Sequence, residues 1–181
     1  MMETAFMERL PELADRLSPA AKDIKLNLKT VLKSDTLTEV QSWGVALACA
    51  YNEGQDELVT ALLADGAAIL NEAAVEDAQA AAALMSMNNV YYRFRHMIGK
   101  DGYQRLSARL RMTRIAKPAT SKVDFELFSL AVSAINGCEM CIRSHESVLV
   151  NHGLGEEAIH DAVRIAAVIR AAAVSLRFAV S

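Results

Sequence analysis

No segment of this 181-residue chain alternates apolar and polar positions as a strand does, while apolar residues recur at helical spacing almost from end to end. Only eight glycines and three prolines interrupt it. It is 52% hydrophobic yet 6% aromatic, and the apolar excess is the helix-compatible mix of Ala, Val, Leu and Met rather than the aromatic mix of sheets. The expectation is all-α: one compact helical domain over residues 1–181. Its apolar content exceeds what one small core needs, which points to buried subunit contacts.

Punctuation divides the chain into segments. Residues 6–17 are amphipathic and stop at Ser18-Pro19; Ala20 to Leu32 is a second amphipathic run. Ser34-Asp35-Thr36 offers a cap before an apolar helix from Thr38 to Asn52, and Asn52 to Asp56 turns into another reaching Asp65 or Leu70. Val75 to Met97 reads as a longer helix, broken by Gly99-Lys100-Asp101-Gly102 before a short basic stretch, Tyr103 to Arg114. After the loop Ala116–Ser121, Asp124 to Ile135 is a helix closed by Asn136-Gly137, where glycine suits a left-handed cap. Cys138 to Asn151 and Glu156 to Val180 complete the set. A helical duplication is also visible. Aligning Gln41 with Glu126 puts Trp43 on Phe128, Val45 on Leu130, Ala46 on Ala131 and Leu47 on Val132, with Glu53 where the second copy has Cys138.

Charge excludes some functions. The net charge is −3, acids and bases are interspersed, and no basic block exists for sequence-independent binding of nucleic acid. No run approaches the roughly 20 charge-free residues of a membrane span. The first eight residues carry Glu3 and Glu8 where a signal peptide carries positive charge, so a cytoplasmic protein is expected.

Three cysteines are too few for a disulfide framework. Cys49 sits in the apolar run Val45–Ala50 and reads as a buried small hydrophobe. The pair in Cys138-Glu139-Met140-Cys141, with His145 four residues on, has the layout of a dithiol redox centre at a helix N-terminus. An ordinary thiol is only about 3% thiolate at neutral pH, and the thiolate is the reactive form. The helix dipole favours the anion at Cys138; His145, at i+4 on the same face, can take a proton from Cys141. Dipole alone selects Cys138 as attacker and access to a base selects Cys141, so the residues leave the order open. Glu126 is the candidate orienting group for His145. In a hairpin turning at Gly137 it lies about 15 Å along one arm and His145 about 10 Å along the other, a gap that side-chain reach, a water or a bend could close. Two rival readings of the cysteines are structural core residues and a zinc site completed by His145 and His152.

The stretch from Glu126 through Cys138, Cys141 and His145 to Glu146 resembles the active-site segment of the alkyl hydroperoxide reductase D family, of the carboxymuconolactone decarboxylase-like fold. The likeness extends to Ala21–Leu28 and Met87–Arg95. It implies a cytoplasmic all-α homotrimer, an antioxidant thiol-dependent peroxidase in which Cys138 and Cys141 cycle between dithiol and disulfide. In that pattern Cys141 attacks, activated by His145 and Glu126 in a proton relay, and Cys138 resolves the intermediate and donates a proton. The implied partners are small hydroperoxides and a peroxiredoxin, the alkyl hydroperoxide reductase C subunit, which the protein regenerates. No cofactor is bound; electrons come from an external dithiol, the lipoyl group of a 2-oxo acid dehydrogenase component. Some relatives carry histidine just before the second cysteine, where this chain has Met140, so a proton shuttle there is absent. The same fold leaves a rival activity, acid–base chemistry of the decarboxylase kind on His145 and Glu126, and a zinc-stabilised interaction module is the non-enzymatic alternative.

Elsewhere, Arg93, Arg95 and His96 read as charge complementing a helix C-terminus, or as a docking patch for an acidic partner. Met85, Met87 and Met97 read as core filler, Trp43 as a core anchor, and His152 and His160 as exposed helix-end residues.

Overall fold

A computed structural model describes residues 9–179, among which there are ten α-helices and no strand. They are α1 (Arg9–Asp15), α2 (Lys22–Leu28), α3 (Glu39–Glu53), α4 (Asp56–Asp65), α5 (Glu72–Ile98), α6 (Asp101–Arg105), α7 (Thr113–Ala116), α8 (Lys122–Ile135), α9 (Glu139–Asn151) and α10 (Glu156–Leu176).

Caps set the boundaries. Thr38 Oγ1 accepts from the Gln41 N–H while Gln41 Oε1 accepts from the Thr38 N–H, a reciprocal box that starts α3. Asn71 caps α5 through the Ala74 N–H, three residues earlier than the sequence suggests. Ser121 caps α8 through the Asp124 N–H, which brings Lys122 into the helix. The second segment is shorter than expected. After a 3₁₀ turn at Pro19–Ala21, α2 stops at Leu28 because the Thr30 hydroxyl bonds back to the carbonyls of Leu26 and Asn27 and competes with the helical ladder. The basic stretch breaks into two single turns, α6 and α7. The last helix ends at Leu176, short of the expected Val180; Val180 and residues 6–8, where the first helix was expected to begin, lie outside the described residues.

Two helices form the centre. Every residue from Ser42 to Ala50 in α3 and from Phe125 to Ser133 in α8 is buried. They lie side by side in the same direction. Gln41 Nε2 donates to Asp124 Oδ1 near their starts, and the carboxamides of Asn52 and Asn136 exchange hydrogen bonds at their ends. Gly44 makes the approach possible, since a Cβ there would overlap the Phe128 ring. The hydrophobic cluster around this pair runs from Leu10 to Leu176 and includes Trp43 and Met85.

The duplication is present, in a register two residues from the one the apolar matches suggest. The helix-starting residues Thr38 and Ser121, the left-handed Gly54 and Gly137, and the N-caps Gln55 and Cys138 all stand 83 positions apart. Helices α3, α4 and α5 therefore correspond to α8, α9 and α10, and α5 and α10 each pack on both central helices, their own repeat's and the other's. Apolar residues of one buried helix resemble those of any other, so only the caps fix the register. In it, Trp43 stands at the position of Glu126, Leu58 at that of Cys141 and Leu62 at that of His145.

Candidate functional site

At the end of α8 the chain turns through Gly137, whose φ of 66° a side chain would resist, straight into α9. Cys138 is the N-cap of α9, with non-helical φ and ψ, and Cys141 lies in the first turn. The two are joined as a disulfide, Cα to Cα 5.3 Å. Their environments differ. Cys138 is completely buried, whereas Cys141 is 7% exposed and borders a cavity of about 450 Å³.

Beside that sulfur lies a chain of charged and polar contacts. Glu126, buried in α8, accepts from Lys122 Nζ on Oε1 at 2.6 Å and meets His145 Nδ1 with Oε2 at 2.5 Å. Burial alone would raise the Glu126 carboxyl, but the hydrogen bonds from His145 and Lys122 outweigh it and hold the group below the ordinary carboxylate value. An ionised carboxylate only accepts, so Nδ1 carries the proton and donates it, leaving Nε2 as the nitrogen that can gain or lose one. Nε2 lies 3.3 Å from Met85 Sδ in the same cavity.

The walls come from two further elements, Met85, Asn88 and Tyr92 on α5 and Met112 and Ile115 at α7, together with Met140, Ser144 and Val148 on α9 itself. A buried carboxylate holds α7 in place. Asp77 accepts from Arg114 Nε at 2.8 Å, from the N–H groups of Ala119 and Thr120, and from the Thr120 hydroxyl at 2.6 Å. Burial would raise its carboxyl too, and these donors bring it below its usual value. The loop before α8 is thus pinned to α5, which fixes where Lys122 and Glu126 begin. Lys122 returns a bond to the Ile115 carbonyl at 2.9 Å.

The structure brings together all four residues singled out from the sequence, and the anticipated gap between Glu126 and His145 closes by direct contact. His152 stays apart, exposed and bonded to the carbonyl of its own helix residue Val148. Among the described residues no group of three or more His, Cys, Asp or Glu is placed to hold a metal. The basic cluster on α5 serves the chain itself. Arg93 donates to the Asn136 carbonyl, Arg95 clamps Gln104, and His96 lies 3.4 Å from Glu139. Met97 is 77% exposed and fills no core, because α5 runs past the helices that cover its first half. Cys49 is buried, and burial pushes its thiol far up. Sequence reasoning passed over Lys122, Asn88 and Asp77, and read Met85 only as the core residue it also is. Of these only Lys122 left a readable sign, its i to i+4 spacing from Glu126.

The fold and site define an all-helical protein in which one sulfur of a Cys-x-x-Cys disulfide lines the same cavity as a buried carboxylate–imidazole pair. The carboxymuconolactone decarboxylase family profile matches residues 101–180, which contain all four residues. Over most of its length the chain is similar to proteins named alkyl hydroperoxide reductase AhpD. It is 60% identical to that of Anaeromyxobacter sp. (strain K) over 96% of this chain and 93% of the relative. With that of Rhizorhabdus wittichii it shares 51% identity over 91% of this chain and 95% of the relative. With that of Methylobacterium sp. (strain 4-46) it shares 48%, over 92% and 95% respectively. The chain belongs to the alkyl hydroperoxide reductase D family. No helix among the described residues is long and apolar enough to cross a membrane.

Proposed function

We propose that the protein is a cytoplasmic antioxidant enzyme, a thiol-dependent hydroperoxide reductase that also regenerates a partner peroxiredoxin, the alkyl hydroperoxide reductase C subunit. One observation carries the reading: Cys141 faces a cavity shared with His145, while Cys138 is sealed beneath it. The sulfur that borders the cavity is the one that shares it with a base, which supports Cys141 as attacker.

In the reduced protein His145 Nε2 takes the Cys141 proton. Glu126, kept ionised by Lys122, stabilises the imidazolium through Nδ1. The thiolate attacks the terminal oxygen of a hydroperoxide; the O–O bond breaks, and the departing alkoxide takes the proton from His145. The Cys141 sulfenic acid is then displaced by Cys138, releasing water and closing the disulfide. A partner's disulfide is reduced in the same way by exchange through Cys141. An external dithiol, the lipoyl group of a 2-oxo acid dehydrogenase component, returns the two electrons. The protein's own contribution is to offer a base in the thiol's cavity and hold a resolving sulfur one turn away; no bound cofactor takes part.

Self-association as a homotrimer belongs to the same reading. Val90, Phe94, Met97 and Ile98 form an exposed apolar stripe along one face of α5, at the spacing by which a helix covers another surface. A second copy is the partner that would cover it, and sedimentation of the native protein would give the stoichiometry.

The deciding experiment is a thiol count. Reduced protein treated with one equivalent of cumene hydroperoxide should lose two thiols, and peptide mapping should recover a Cys138–Cys141 bridge with Cys49 still free. Thiols that survive oxidation unchanged, or turnover that persists after both are alkylated, would sink the reading. The second result would turn attention to acid–base chemistry on His145 and Glu126.

A further inference from the structure

We propose that Met85 is a positioning residue of the proton relay: while the disulfide is closed, its thioether accepts a proton from His145 Nε2 and keeps the ring charged for the Cys141 thiolate that reduction releases. The proposal rests on the dithiol–disulfide reading above and adds the group that holds its base between turnovers.

Two contacts carry it. His145 Nδ1 lies 2.5 Å from Glu126 Oε2, and Nε2 lies 3.3 Å from Met85 Sδ. An ionised carboxylate and a thioether have no proton to give, so each can only accept. A neutral imidazole carries one N–H and satisfies one of them; the imidazolium carries two and satisfies both. The surroundings suit this use of the sulfur. Met85 is fully buried, so no bulk water competes for Sδ. Asn89 Nδ2 stands 3.9 Å from the same sulfur while donating to Ser133 Oγ at 3.0 Å, which restricts where the thioether can lie. A leucine there would fill much the same volume and accept nothing.

The titratable groups around the ring are Glu126 on α8, with Lys122 behind it, Cys141 on α9, and Tyr92 of α5 in the same cavity. At α7, Arg114 is taken up by Glu76 and Asp77. The role of the stored proton follows from the reduction step. A thiolate of the external dithiol attacks the Cys141 sulfur, the S–S bond breaks, and Cys138 leaves with the electron pair and is protonated. The second sulfur of the dithiol then displaces Cys141, which leaves as a thiolate beside the imidazolium, and the dithiol ends as its own disulfide. Of the dithiol's two protons one ends on Cys138 and one goes to solvent, because His145 already holds the proton that Cys141 needs. After the next peroxide has taken that proton, the ring draws another from solvent and the cycle balances. Met85 thus favours the charged ring while no thiolate is present, and the thiolate, a stronger acceptor, supersedes it.

The test is the pH dependence of disulfide reduction by dihydrolipoamide, compared between wild-type protein and Met85→Leu from about pH 5 to pH 8. At the acid end a histidine is charged with or without the thioether, and the two rates should agree. Towards the alkaline end the variant should fall behind by about fivefold, the weight of one hydrogen bond to the charged form. Equal rates at every pH would overturn the proposal. So would a deficit that does not widen with pH, which is what a packing defect gives. Norleucine in place of every methionine puts a methylene where each sulfur was, and serves if Met85→Leu fails to fold. The same widening gap is expected, and a wild-type profile would overturn the proposal. A native disulfide that dihydrolipoamide leaves closed would sink the dithiol cycle itself and this inference with it. A reducible disulfide whose rate ignores the sulfur at position 85 fails this inference alone.

Discussion

The hairpins α3–α4 and α8–α9 share one backbone plan and differ in what they carry. Both start at a hydroxyl cap, turn through a left-handed glycine and enter the second helix at once. Both also border a cavity of about 450 Å³. Around the first cavity Glu39, Trp43 and Asp65 occupy the positions that Lys122, Glu126 and Val148 hold around the second. Where α9 presents two sulfurs and an imidazole, α4 presents Leu58 and Leu62, both buried. Asp65 accepts the first N–H groups of α1, so the first hairpin anchors the N-terminal helix. One copy of the plan carries buried apolar side chains, and the other carries the cysteine pair and the carboxylate–imidazole pair. The geometry permits a site at either hairpin, and the side chains decide which becomes one.

Matched substitutions should separate the two roles. The largest effect belongs to the sulfurs. Cys141→Ser and Cys138→Ser should each lower hydroperoxide turnover by at least about a thousandfold with little change in urea midpoint, because a hydroxyl neither attacks peroxide nor closes a disulfide. Leu58→Ala, at the matched position of α4, should do the reverse. A cavity in a fully buried site costs about 2–5 kcal/mol, while the folded fraction keeps its activity per molecule. Activity lost with Leu58 would break the division.

Next comes the proton-handling pair. Glu126→Gln should lower turnover about a hundredfold, and Lys122→Met less, because the lysine acts through the carboxylate it holds ionised. In Lys122→Met the acid limb of the pH–rate profile should move to higher pH, as the Glu126 carboxyl rises towards its ordinary value. An unmoved limb would deny Lys122 this role. The same carboxylate makes stability depend on acid. Its native value lies below the ordinary one of about 4.3, so its contribution is complete above that pH and is lost as pH falls through the depressed value. Asp77 behaves in the same direction. Urea midpoints measured from about pH 5 downwards should fall, and fall less steeply in Glu126→Gln.

Much of this was legible in the sequence, for reasons that also mark where reading stopped. Helix identity followed from periodicity and the turn after α8 from Asn136-Gly137, because capping is local chemistry, but both starts were misplaced: Thr38 caps α3 in place of Ser34-Asp35-Thr36, and Ser121 caps α8, which starts at Lys122 where Asp124 was expected. Cys138, Cys141, His145 and Glu126 were found through spacing on two consecutive helices. Met85 and Asn88 were not, since they reach the cavity from α5 by packing across the repeat, and no spacing along the chain encodes that contact. Met97 was misread for the same reason: its helix looks uniform in sequence, and only tertiary structure decides which turn is covered. The duplication was seen but misregistered, because the apolar residues aligned there match at more than one offset and caps do not.

A smaller test probes how the two halves touch. Gly44→Ala would drive a methyl into the Phe128 ring where both central helices are buried, and such overpacking costs about 1–3 kcal/mol. Adding Phe128→Leu should return part of it, because the shorter side chain vacates the space the methyl needs. A double variant no more stable than Gly44→Ala alone would mean that the backbone, rather than that ring, sets the approach.

The smallest effects are the most discriminating. Thr38→Ala and Ser121→Ala each remove a side-chain acceptor from the start of a central helix, at about 1 kcal/mol apiece. The stability losses should match, since the caps are equivalent in the repeat. Their consequences for turnover should not. Lys122 is the first residue after the Ser121 cap, and its ammonium bridges Glu126 to the Ile115 carbonyl, so a frayed α8 loosens the carboxylate that holds His145. Glu39, the first residue after Thr38, lines a cavity with Trp43 at the position of Glu126, where fraying disturbs no carboxylate–imidazole pair. A severalfold drop in turnover confined to Ser121→Ala would tie the function to one hairpin's cap. Equal drops would mean instead that α3, lying along α8, transmits its own disorder to the site.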